Sequence, residues 1–476
     1  MRKGSCREVL ALFTFLSVGA FISMNAPLVH AGASTCAAGG AAVVVGQNNP
    51  AIDLPAVQAA VDGNLSVALQ GTFDFGDSGR IVLSCDVEIS GRSGATIRNG
   101  EWDFYTPRPN AAPAVAGPKV SISNIDFVQA RGAAIHLVYS GGASISHNVI
   151  EDMRSRVVSV SPPISERAAI VVGPNLVGPI NTFIPNLVSG DIDVSDNVID
   201  ILPPDPTITR ATGMFVSMYI GADVRIERNV VTGNTRTGLA ILDGKADGNG
   251  RGSVLIAGNV VRSSVPVGFN RNLGPRAPIG IVTGFNNIAG PGTDPTVAMI
   301  PVLIEDNTIE LGDPGYTGSN ATSPMGLIDI WNGAFIADNV ITLHGHSVST
   351  TKRTDTSGGI LATASHQVLF HNTVMGEGCN AIRIGGTVDG QERLDNVGKA
   401  NNVLAFQAFA GGYAKCADVW LEPASHDNVM VGNSGTVIDD GVNNNVTGFA
   451  PVKGGVGVEV SEASQDAAQA ESMGFD

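Results

Sequence analysis

The chain has 476 residues, of which 43% are hydrophobic and only 15% are charged. This composition excludes an intrinsically disordered protein and indicates a packed core. Aromatic residues make up 5% and Gly contributes 59 residues, which favours narrow layers of β-structure, and the net charge of −16 excludes non-specific binding to nucleic acid or to an anionic membrane.

Residues 1–31 are typical of a secretory signal peptide. Arg2, Lys3 and Arg7 form a positive start, an apolar run covers 10–21, and Val29-His30-Ala31 offers a small-x-small cleavage site. The alternative is a membrane anchor, but the apolar run is shorter than the roughly 18 residues that a span needs. Cleavage after Ala31 removes three basic residues and one acidic residue, so the charge goes from −16 to −18. We predict a secreted or periplasmic protein with no membrane partner.

Four cysteines remain after that cleavage, and an even number in an exported chain favours two disulfides. Three connectivities are possible, and the local one pairs Cys36 with Cys85 and Cys379 with Cys416. A zinc site is the alternative, but the sequence has no Cys-x-x-Cys. We therefore expect no metal at these cysteines.

A lead segment, 32–49, precedes the predicted domain, which covers 50–452. Asp53 is the expected N-cap of a short amphipathic helix that ends at Gly63, and the first strand follows over 67–73. A helix at this place would cover an exposed strand edge. The last residues, 453–476, have no periodicity and are predicted to form a flexible acidic tail.

Seven segments of the type Ile-x-x-Asn-Val-Ile recur through the middle of the chain. Their asparagines are separated by 49, 32, 30, 48, 32 and 33 residues, a spacing that predicts stacked coils of about 25 to 30 residues with loops of variable length. Ile122-Ser-Asn124 resembles a shortened earlier member, and Asn402-Val403 and Asn428-Val429 resemble later members that keep only part of the motif. The seven asparagines are Asn148, Asn197, Asn229, Asn259, Asn307, Asn339 and Asn372.

Each of these asparagines is predicted to lie at a bend between strands, where Asn tolerates a left-handed conformation. Stacked at the strand spacing of roughly 4.8 Å, their side chains would form an internal ladder of amide hydrogen bonds. A second strand recurs in each coil, usually after Gly, as in Gly132-Ala-Ala-Ile135 and Gly326-Leu327. Parallel coils joined by crossovers should wind right-handed. The predicted fold is an all-β, right-handed parallel β-helix with a short N-terminal capping helix.

Over roughly residues 50–450 the chain resembles the right-handed parallel β-helix proteins of the pectate-lyase-like superfamily. The resemblance is carried by the Asn-Val-Ile repeats, the helix followed by Gly71-Thr72-Phe73, and the export signal. It implies a fold shared by polysaccharide lyases, glycoside hydrolases, uronate epimerases and non-catalytic surface proteins. Of the hydrolase pattern Asn-Thr-Asp, Asp-Asp, Gly-His-Gly, Arg-Ile-Lys, only Arg383-Ile384-Gly385 is near the last element, so a polygalacturonase-like hydrolase is not expected.

An arginine recurs just before the second strand of successive coils. If the register holds, these cations line up along one edge and bind an acidic polysaccharide, because Arg suits forked bonds with carboxylates. The competing interpretation is that each Arg pairs with a local acid such as Glu166 or Asp205. Trp331 would add sugar stacking if its ring is exposed. The predicted substrate-binding arginines are Arg167, Arg210, Arg236 and Arg276, with Arg131 in the same pattern.

Five long segments between the Asn strand and the second strand should project from one side and wall a groove. The last, 343–358, holds the densest set of acid and base groups, including His344, and predicts a catalytic set of His346, Lys352 and Arg353. In lyases of this fold a Lys or Arg can take the proton next to the uronate, with Arg210 and Arg276 then clamping carboxylates. The five segments are 151–168, 201–212, 262–278, 310–325 and 343–358.

The sequence as a whole favours a secreted, monomeric carbohydrate-active protein that binds an acidic polysaccharide and cleaves it by β-elimination. The alternative is a non-catalytic cell-envelope or adhesive β-helix protein. No cofactor is expected, although Asp191, Asp193 and Asp196 share one strand region and are the residues that would hold Ca²⁺. Their competing interpretation is a solvated strand face.

Overall fold

A computed structural model gives the structure of the chain, and it describes 14 segments that together run from residue 39 to residue 448. No helix among these residues is long and apolar enough to cross a membrane. The described segments are 39–109, 112–158, 164–174, 186–201, 210–233, 236–263, 278–284, 300–312, 324–344, 358–385, 393–394, 396–408, 416–423 and 425–448.

The chain divides into two compact units, each of which is a stack of parallel β-coils. The described residues of the N-terminal unit lie within 39–233 and 240–252, and those of the C-terminal unit lie within 236–239 and 253–448. Each full coil contributes one strand to each of three parallel sheets. The Asn-Val-Ile segment supplies the first two strands, with the Asn in the turn between them, and the long segments lead into the third.

The strands of the N-terminal unit follow the chain in every sheet. The first sheet contains Ala41–Val45, Ser66–Gln70, Val87–Gly91, Lys119–Ser123, Gly142–Ser146, Ile192–Ser195 and Asp223–Glu227; the second contains Thr72–Asp74, Thr96–Arg98, Asp126–Val128, Val149–Glu151, Val198–Ile201 and Val230–Gly233; the third contains Ile81–Val82, Phe104–Thr106, Ala133–Leu137, Ile164–Val172 and Arg210–Ser217. One further strand, Arg156–Val158, pairs antiparallel with Ile164–Val172. The strand Thr237–Leu242 contains the boundary between the two units.

The C-terminal unit repeats this arrangement. Its first sheet contains Ser253–Ala257, Val302–Glu305, Phe335–Ala337, Val368–Phe370, Val397–Lys399, Val429–Val431 and Asn445–Thr447; the second contains Val260–Ser263, Thr308–Leu311, Val340–Leu343, Thr373–Gly378 and Asn402–Ala408; the third contains Ile279–Gly284, Met325–Asp329, Gly358–Ala362, Asn380–Ile384, Ala417–Leu421 and Val437–Asp439. A two-stranded pair, Arg393–Leu394 with Ser425–His426, lies outside these sheets.

The core of each unit consists of rows of aliphatic side chains that stack on themselves from coil to coil. Ile122, Ile145, Val194 and Ile226 are in register along the first sheet of the N-terminal unit, and all four are fully buried. Successive residues of a strand face opposite sides, so every second residue enters the interior. The parallel β-helix predicted from the sequence is confirmed by this topology.

The predicted asparagine ladder is confirmed, because all seven side chains are fully buried. In the N-terminal unit, Asn148 Nδ2 donates to Asn197 Oδ1 at 3.0 Å, and Asn197 Nδ2 donates to Asn229 Oδ1 at 3.0 Å. In the C-terminal unit, an equivalent series runs through Asn259, Asn307, Asn339, Asn372, Asn401 and Asn433, with amide-to-amide distances of 2.8 to 2.9 Å.

The sequence predicted a left-handed backbone conformation at the ladder Asn, and this prediction is wrong. In the structure the residue before the ladder Asn adopts that conformation. Asp196, Arg228 and Asp338 have φ values of 58°, 54° and 53°. Asn124, interpreted as a shortened repeat member, has φ 59°, and so it occupies this preceding position. The ladder position of its coil is Ile125, whose backbone N–H donates to Asn148 Oδ1 at 3.1 Å.

The two later repeat members occupy other positions than the sequence predicted. Asn401 and not Asn402 continues the ladder, because Asn402 is a strand residue paired with Thr373. Asn428 belongs to a second ladder at the turn before the first sheet. That ladder runs through Gln367, Asn396, Asn428 and Asn444, each backbone N–H donating to the next side-chain oxygen at 2.8 to 3.0 Å.

The helix spans Pro50–Gly63, so its predicted end is confirmed and its predicted N-cap is wrong. The N-cap is Asn49, whose side chain accepts from Ala51 N at 3.0 Å, because Pro at the first helical position lets the helix begin earlier. Asp53 is 1% exposed and accepts hydrogen bonds from three backbone N–H groups instead. It fixes the helix to the first coil.

One of the two predicted disulfides joins Cys379 to Cys416. Cys85 is buried and also disulfide-bonded, whereas its predicted partner Cys36 lies outside the described residues. The signal peptide and the acidic tail lie outside them as well.

Candidate functional site

The candidate site lies on the outward face of the third sheet in the N-terminal unit. Strand register places Tyr105 beside His136, His136 beside Val171, and Val171 beside Phe215. Alternation along the strands points these side chains away from the core, because their neighbours Phe104 and Ile135 are the fully buried interior residues. The fold therefore places a histidine and a tyrosine side by side on an outer face.

Around this pair lies a group of polar and aromatic side chains that we name the Trp102 cluster. The Trp102 and Tyr105 rings lie 5.0 Å apart with planes tilted by 31°. The Arg156 guanidinium lies 4.1 Å from the Trp102 ring centroid, and the Arg80 guanidinium lies 5.0 Å from it, both within the range of cation–π attraction. The Trp102 cluster consists of Arg80, Glu101, Trp102, Tyr105, His136, Arg156 and Glu166.

One carboxylate connects the two cations. Glu101 Oε2 lies 3.3 Å from Arg80 Nη2, and Glu101 Oε1 lies 2.5 Å from Arg156 Nε. The Arg80 and Arg156 side chains are 32% and 26% exposed, so Glu101 holds them in place while leaving donors open to solvent. Glu166 lies 3.8 Å from Arg156 Nη1 and is almost completely buried.

His136 lies beneath the two aromatic rings and is 2% exposed. Its ring makes an edge contact with Trp102 at 4.7 Å and with Tyr105 at 5.7 Å. Burial, and then the charges of Arg156 and Arg80, lower the pKa of His136 to about 3, because each disfavours an additional positive charge. The imidazole is therefore neutral at physiological pH.

Trp102 has a φ of 58°, a conformation that bulky residues adopt only where the surroundings impose it. A Cβ at Gly132 would lie 3.0 Å from Trp102 Nε1 and 3.2 Å from side-chain atoms of Arg156. The missing side chain at Gly132 thus lets both residues approach the sheet. Strained residues that are held by their neighbours concentrate at functional sites.

The surroundings of the Trp102 cluster carry a positive excess in an acidic chain. Arg154 Nη1 lies 2.7 Å from Asp77 Oδ1, and the same arginine with Arg131 lowers the pKa of Asp77. Five arginines and four carboxyl groups give a formal local charge of +1, against −16 for the whole chain. These residues are Arg80, Arg131, Arg154, Arg156 and Arg167, with Asp77, Glu101, Asp103 and Glu166.

Strand register does not align Arg167 with Arg210 as the predicted row of substrate-binding arginines requires. Strand register pairs Arg210 with Glu166 and pairs Arg167 with Ala211, so the two arginines are one residue out of step. Arg167 is 2% exposed and its Nη1 donates to Met153 O at 3.1 Å. The Arg167 side chain is therefore almost completely buried, and the side chain of Arg210 lies outside the described residues, so its role in substrate binding stays a prediction.

Of the remaining predicted arginines, Arg236 is described and lies in the C-terminal unit. Ile279 N donates to Arg236 O at 2.7 Å, which places Arg236 level with Pro278 in the parallel pairing. Arg236 is half-buried at the start of its strand. Arg276 lies outside the described residues, so its role as a carboxylate clamp stays a prediction.

The predicted catalytic residues His346, Lys352 and Arg353 also lie outside the described residues. His344, at the start of the same loop, is described: its Nε2 lies 3.2 Å from Glu310 Oε1. Arg262 Nε lies 3.4 Å from the other oxygen of Glu310. This exposed trio marks the end of the second-sheet strands from which the long loops depart.

Trp331 is 2% exposed and Trp420 is 9% exposed. Both rings are buried, and neither presents a face for a sugar in this structure. The Arg383 guanidinium covers Trp420 at 5.0 Å and binds Glu422, while Trp420 Nε1 donates to Asp440 at 3.0 Å.

For the carboxylates considered for Ca²⁺, the structure describes a different arrangement. Asp196 forms a forked pair with Arg228 at 2.9 and 2.8 Å, and the Arg228 hydrogen bond lowers the pKa of Asp196. Within the described part of the chain, no three His, Cys, Asp or Glu residues converge in a way that suits a metal ion.

The Trp102 cluster was missed by sequence reasoning. Arg156 and Glu166 lie within the long segment 151–168 that was expected to border a groove, and this was the available signal. Trp102, Tyr105 and His136 carry no repeat pattern of their own, because outward positions are not constrained to recur.

Comparison with known proteins gives fold likeness alone. No protein-family model matches the chain, and no curated protein matches it. Among solved structures, the mannuronan C-5 epimerase AlgE6 A-module of Azotobacter vinelandii is similar with 13% identity and a TM-score of 0.40, over 84% of this chain and 96% of that chain. The Streptococcus pneumoniae surface protein and adhesin PfbA is similar with 13% identity and a TM-score of 0.40, over 83% and 94%. DFA-IIIase from Arthrobacter chlorophenolicus A6 is similar with 10% identity and a TM-score of 0.40, over 84% and 94%.

Proposed function

We propose that this protein is a secreted carbohydrate-active β-helix protein that binds an acidic polysaccharide at the Trp102 cluster. The observation that carries the proposal is the grouping of half-exposed guanidiniums with half-exposed aromatic rings on an outward sheet face. Arg supplies forked bonds to carboxylates, and aromatic rings supply flat apolar surface for sugar rings. The two together match the chemistry of a uronate chain.

Electrostatics supports an acidic ligand over a neutral one. The local charge of +1 is an exception in a chain of net charge −16, and Arg80 and Arg156, which both contact the Trp102 ring, repel each other. Glu101 balances only part of this charge while it orients Arg80 and Arg156. A ligand carboxylate would neutralise the rest.

Cleavage by β-elimination is the reaction that we propose for a uronate polymer, with His346, Lys352 and Arg353 as the predicted catalytic set. A base takes the proton from the carbon next to the uronate carboxyl group. The bond from the adjacent carbon to the glycosidic oxygen breaks, a double bond forms between the two carbons, and the leaving oxygen takes up a proton. The products are an unsaturated sugar end and a new reducing end.

Two measurements on the full-length protein test the proposal. Binding is measured by titration calorimetry against polygalacturonate, alginate and a neutral glucan at low and at physiological salt. The proposal predicts binding to at least one uronate polymer that weakens as salt rises, and no binding to the glucan. Equal binding to the glucan, or none to either uronate polymer, would overturn it.

Cleavage is measured by the ultraviolet absorbance of unsaturated products during incubation with the same polymers. A rise in absorbance that is lost when Lys352 and Arg353 are replaced together by Gln supports the lyase step. Binding without any absorbance rise would instead support the alternative, a non-catalytic envelope or adhesive protein that uses the same cluster to hold a polymer.

A further inference from the structure

His136 is the least satisfied polar side chain of the Trp102 cluster. It is 2% exposed, and neither ring nitrogen has a hydrogen-bond partner among the residues that the structure describes. A buried polar group without a partner destabilises a fold by about 1–3 kcal/mol. An apolar residue at this position would avoid that loss, so the structure itself gives no reason for a histidine here.

A neutral imidazole has one nitrogen that donates and one that accepts. This pairing matches a sugar hydroxyl group, which also donates and accepts, and does not match a carboxylate, which only accepts. The groups of the site that would bind a ligand carboxylate are the guanidiniums of Arg80 and Arg156, which lie on the same side of the sheet around Trp102. The cluster therefore holds complementary groups for both kinds of polar substituent on a uronate ring.

The Trp102 and Tyr105 rings cover His136, so a ligand reaches the imidazole only if one ring moves. Trp102 is the better candidate, because it lies in a bend, whereas Tyr105 lies in the strand Phe104–Thr106 of the third sheet. Ligand binding should therefore alter the environment of Trp102.

We propose that His136 is a specificity-determining residue of this site, exchanging a hydrogen bond with a hydroxyl group of the sugar whose carboxylate is bound by Arg80 and Arg156. This inference rests on the proposed function. It narrows the ligand class from polycarboxylates in general to uronate sugars that carry a free hydroxyl near the carboxylate. A polymer with carboxylates and no hydroxyl groups would leave the imidazole unsatisfied and bind more weakly, as sites built to bond a hydroxyl reject analogues that lack it.

The test compares two variants and two kinds of polymer. His136→Leu is expected to weaken the affinity for polygalacturonate or alginate roughly tenfold, the value of one hydrogen bond to a buried group, and to leave the weak affinity for poly-glutamate unchanged. His136→Asn, which keeps one donor and one acceptor, is expected to retain part of the uronate affinity. Tryptophan fluorescence of the wild type should change on addition of the uronate polymer, and Trp102→Phe should abolish that change.

The possible outcomes separate the inference from the proposed function. Uronate affinity that is unchanged in a folded His136→Leu protein overturns the inference and leaves the proposed function standing. A loss of affinity for both polymers in parallel also overturns it, because that result indicates a general distortion of the cluster. Failure of the wild type to bind either uronate polymer overturns the proposed function itself.

Discussion

The outward row of the third sheet differs in chemistry between the two units. In the N-terminal unit it presents Tyr105 and His136 among arginines. In the C-terminal unit the corresponding row begins with Val282, Ile328 and Leu361, and the last two pack with Met325 into an apolar cluster. It continues with Arg383 and Trp420, whose polar groups bind Glu422 and Asp440. The interior is the same kind of structure in both, with stacked aliphatic rows and an asparagine ladder.

This difference indicates that the parallel β-helix constrains the residue type at inward positions and leaves the residue type at outward positions free. An inward residue must fit the residues above and below it, so its type recurs in the sequence. An outward residue faces solvent or a loop and can change without breaking the stack. Function is therefore to be sought where the outward row departs from what the fold requires, as it does at the Trp102 cluster.

The largest effect is expected from breaking the interior that both units share. Asn307→Leu should lower the free energy of unfolding by about 4 kcal/mol, because the backbone and side-chain N–H groups of Asn259 both lose their acceptor. Asn197→Leu in the other unit should cost a similar amount, since Asn148 loses the same two bonds. Denaturant unfolding measures both, and a change below about 1 kcal/mol in either would contradict a ladder that stabilises the fold.

The ladder was predictable from the sequence, and the site was not. A repeated Asn at intervals of about 30 residues has few structural explanations, and stacking is the one that uses every copy. Arg167 and Arg210 do not align as expected, because they were matched by their distance to the following strand, whereas Glu166 is the residue that pairs with Arg210. The left-handed residue was misplaced by one because its type varies, as in Asp196 and Arg228.

A second prediction concerns a carboxyl group inside the C-terminal unit. Asp329 is fully buried and accepts hydrogen bonds from Thr283 and Gln367, and burial raises its pKa to about 7. The folded state therefore favours the protonated form. The contribution of Asp329 to stability should therefore be largest below about pH 4 and should fall until about pH 7.

Asp329→Asn removes this dependence, because Asn is neutral at every pH. Melting should show a stabilisation on the order of 3 kcal/mol at pH 8 and almost none at pH 4. The exposed Asp338→Asn serves as the control and should change neither value. An Asp329→Asn protein that is no more stable at pH 8 than the wild type would show that the hydrogen bonds to the ionised carboxylate offset the cost of burying it.

A third prediction concerns His136→Leu, which places in the N-terminal unit an apolar residue of the kind that begins the outward row of the C-terminal unit. His136→Leu replaces two nitrogen atoms that lack partners among the described residues with the residue type found at Leu361. It should raise the free energy of unfolding by about 1 kcal/mol, as chemical denaturation would show. A destabilisation of the same size would mean that the imidazole makes a bond that the folded protein needs, and the comparison between the two outward rows would lose its basis.

The smallest effect is expected at the outward turn of the N-terminal unit. Arg228 is exposed and pairs with Asp196, and exposed ion pairs contribute little because water screens them. Arg228→Gln should leave the melting temperature and the polymer affinity almost unchanged. A marked loss of either would show that cations outside the Trp102 cluster also matter.

The most direct measurement is the affinity of uronate polymers for two matched arginine variants, determined by titration calorimetry at low salt. Arg156→Gln removes a cation that lies on Trp102 and is paired with Glu101, whereas Arg228→Gln removes one that is also carboxylate-paired but lies at a turn between other sheets. We expect Arg156→Gln to weaken binding roughly tenfold or more and Arg228→Gln to leave it unchanged. Equal affinities in the two folded variants would contradict binding at the Trp102 cluster.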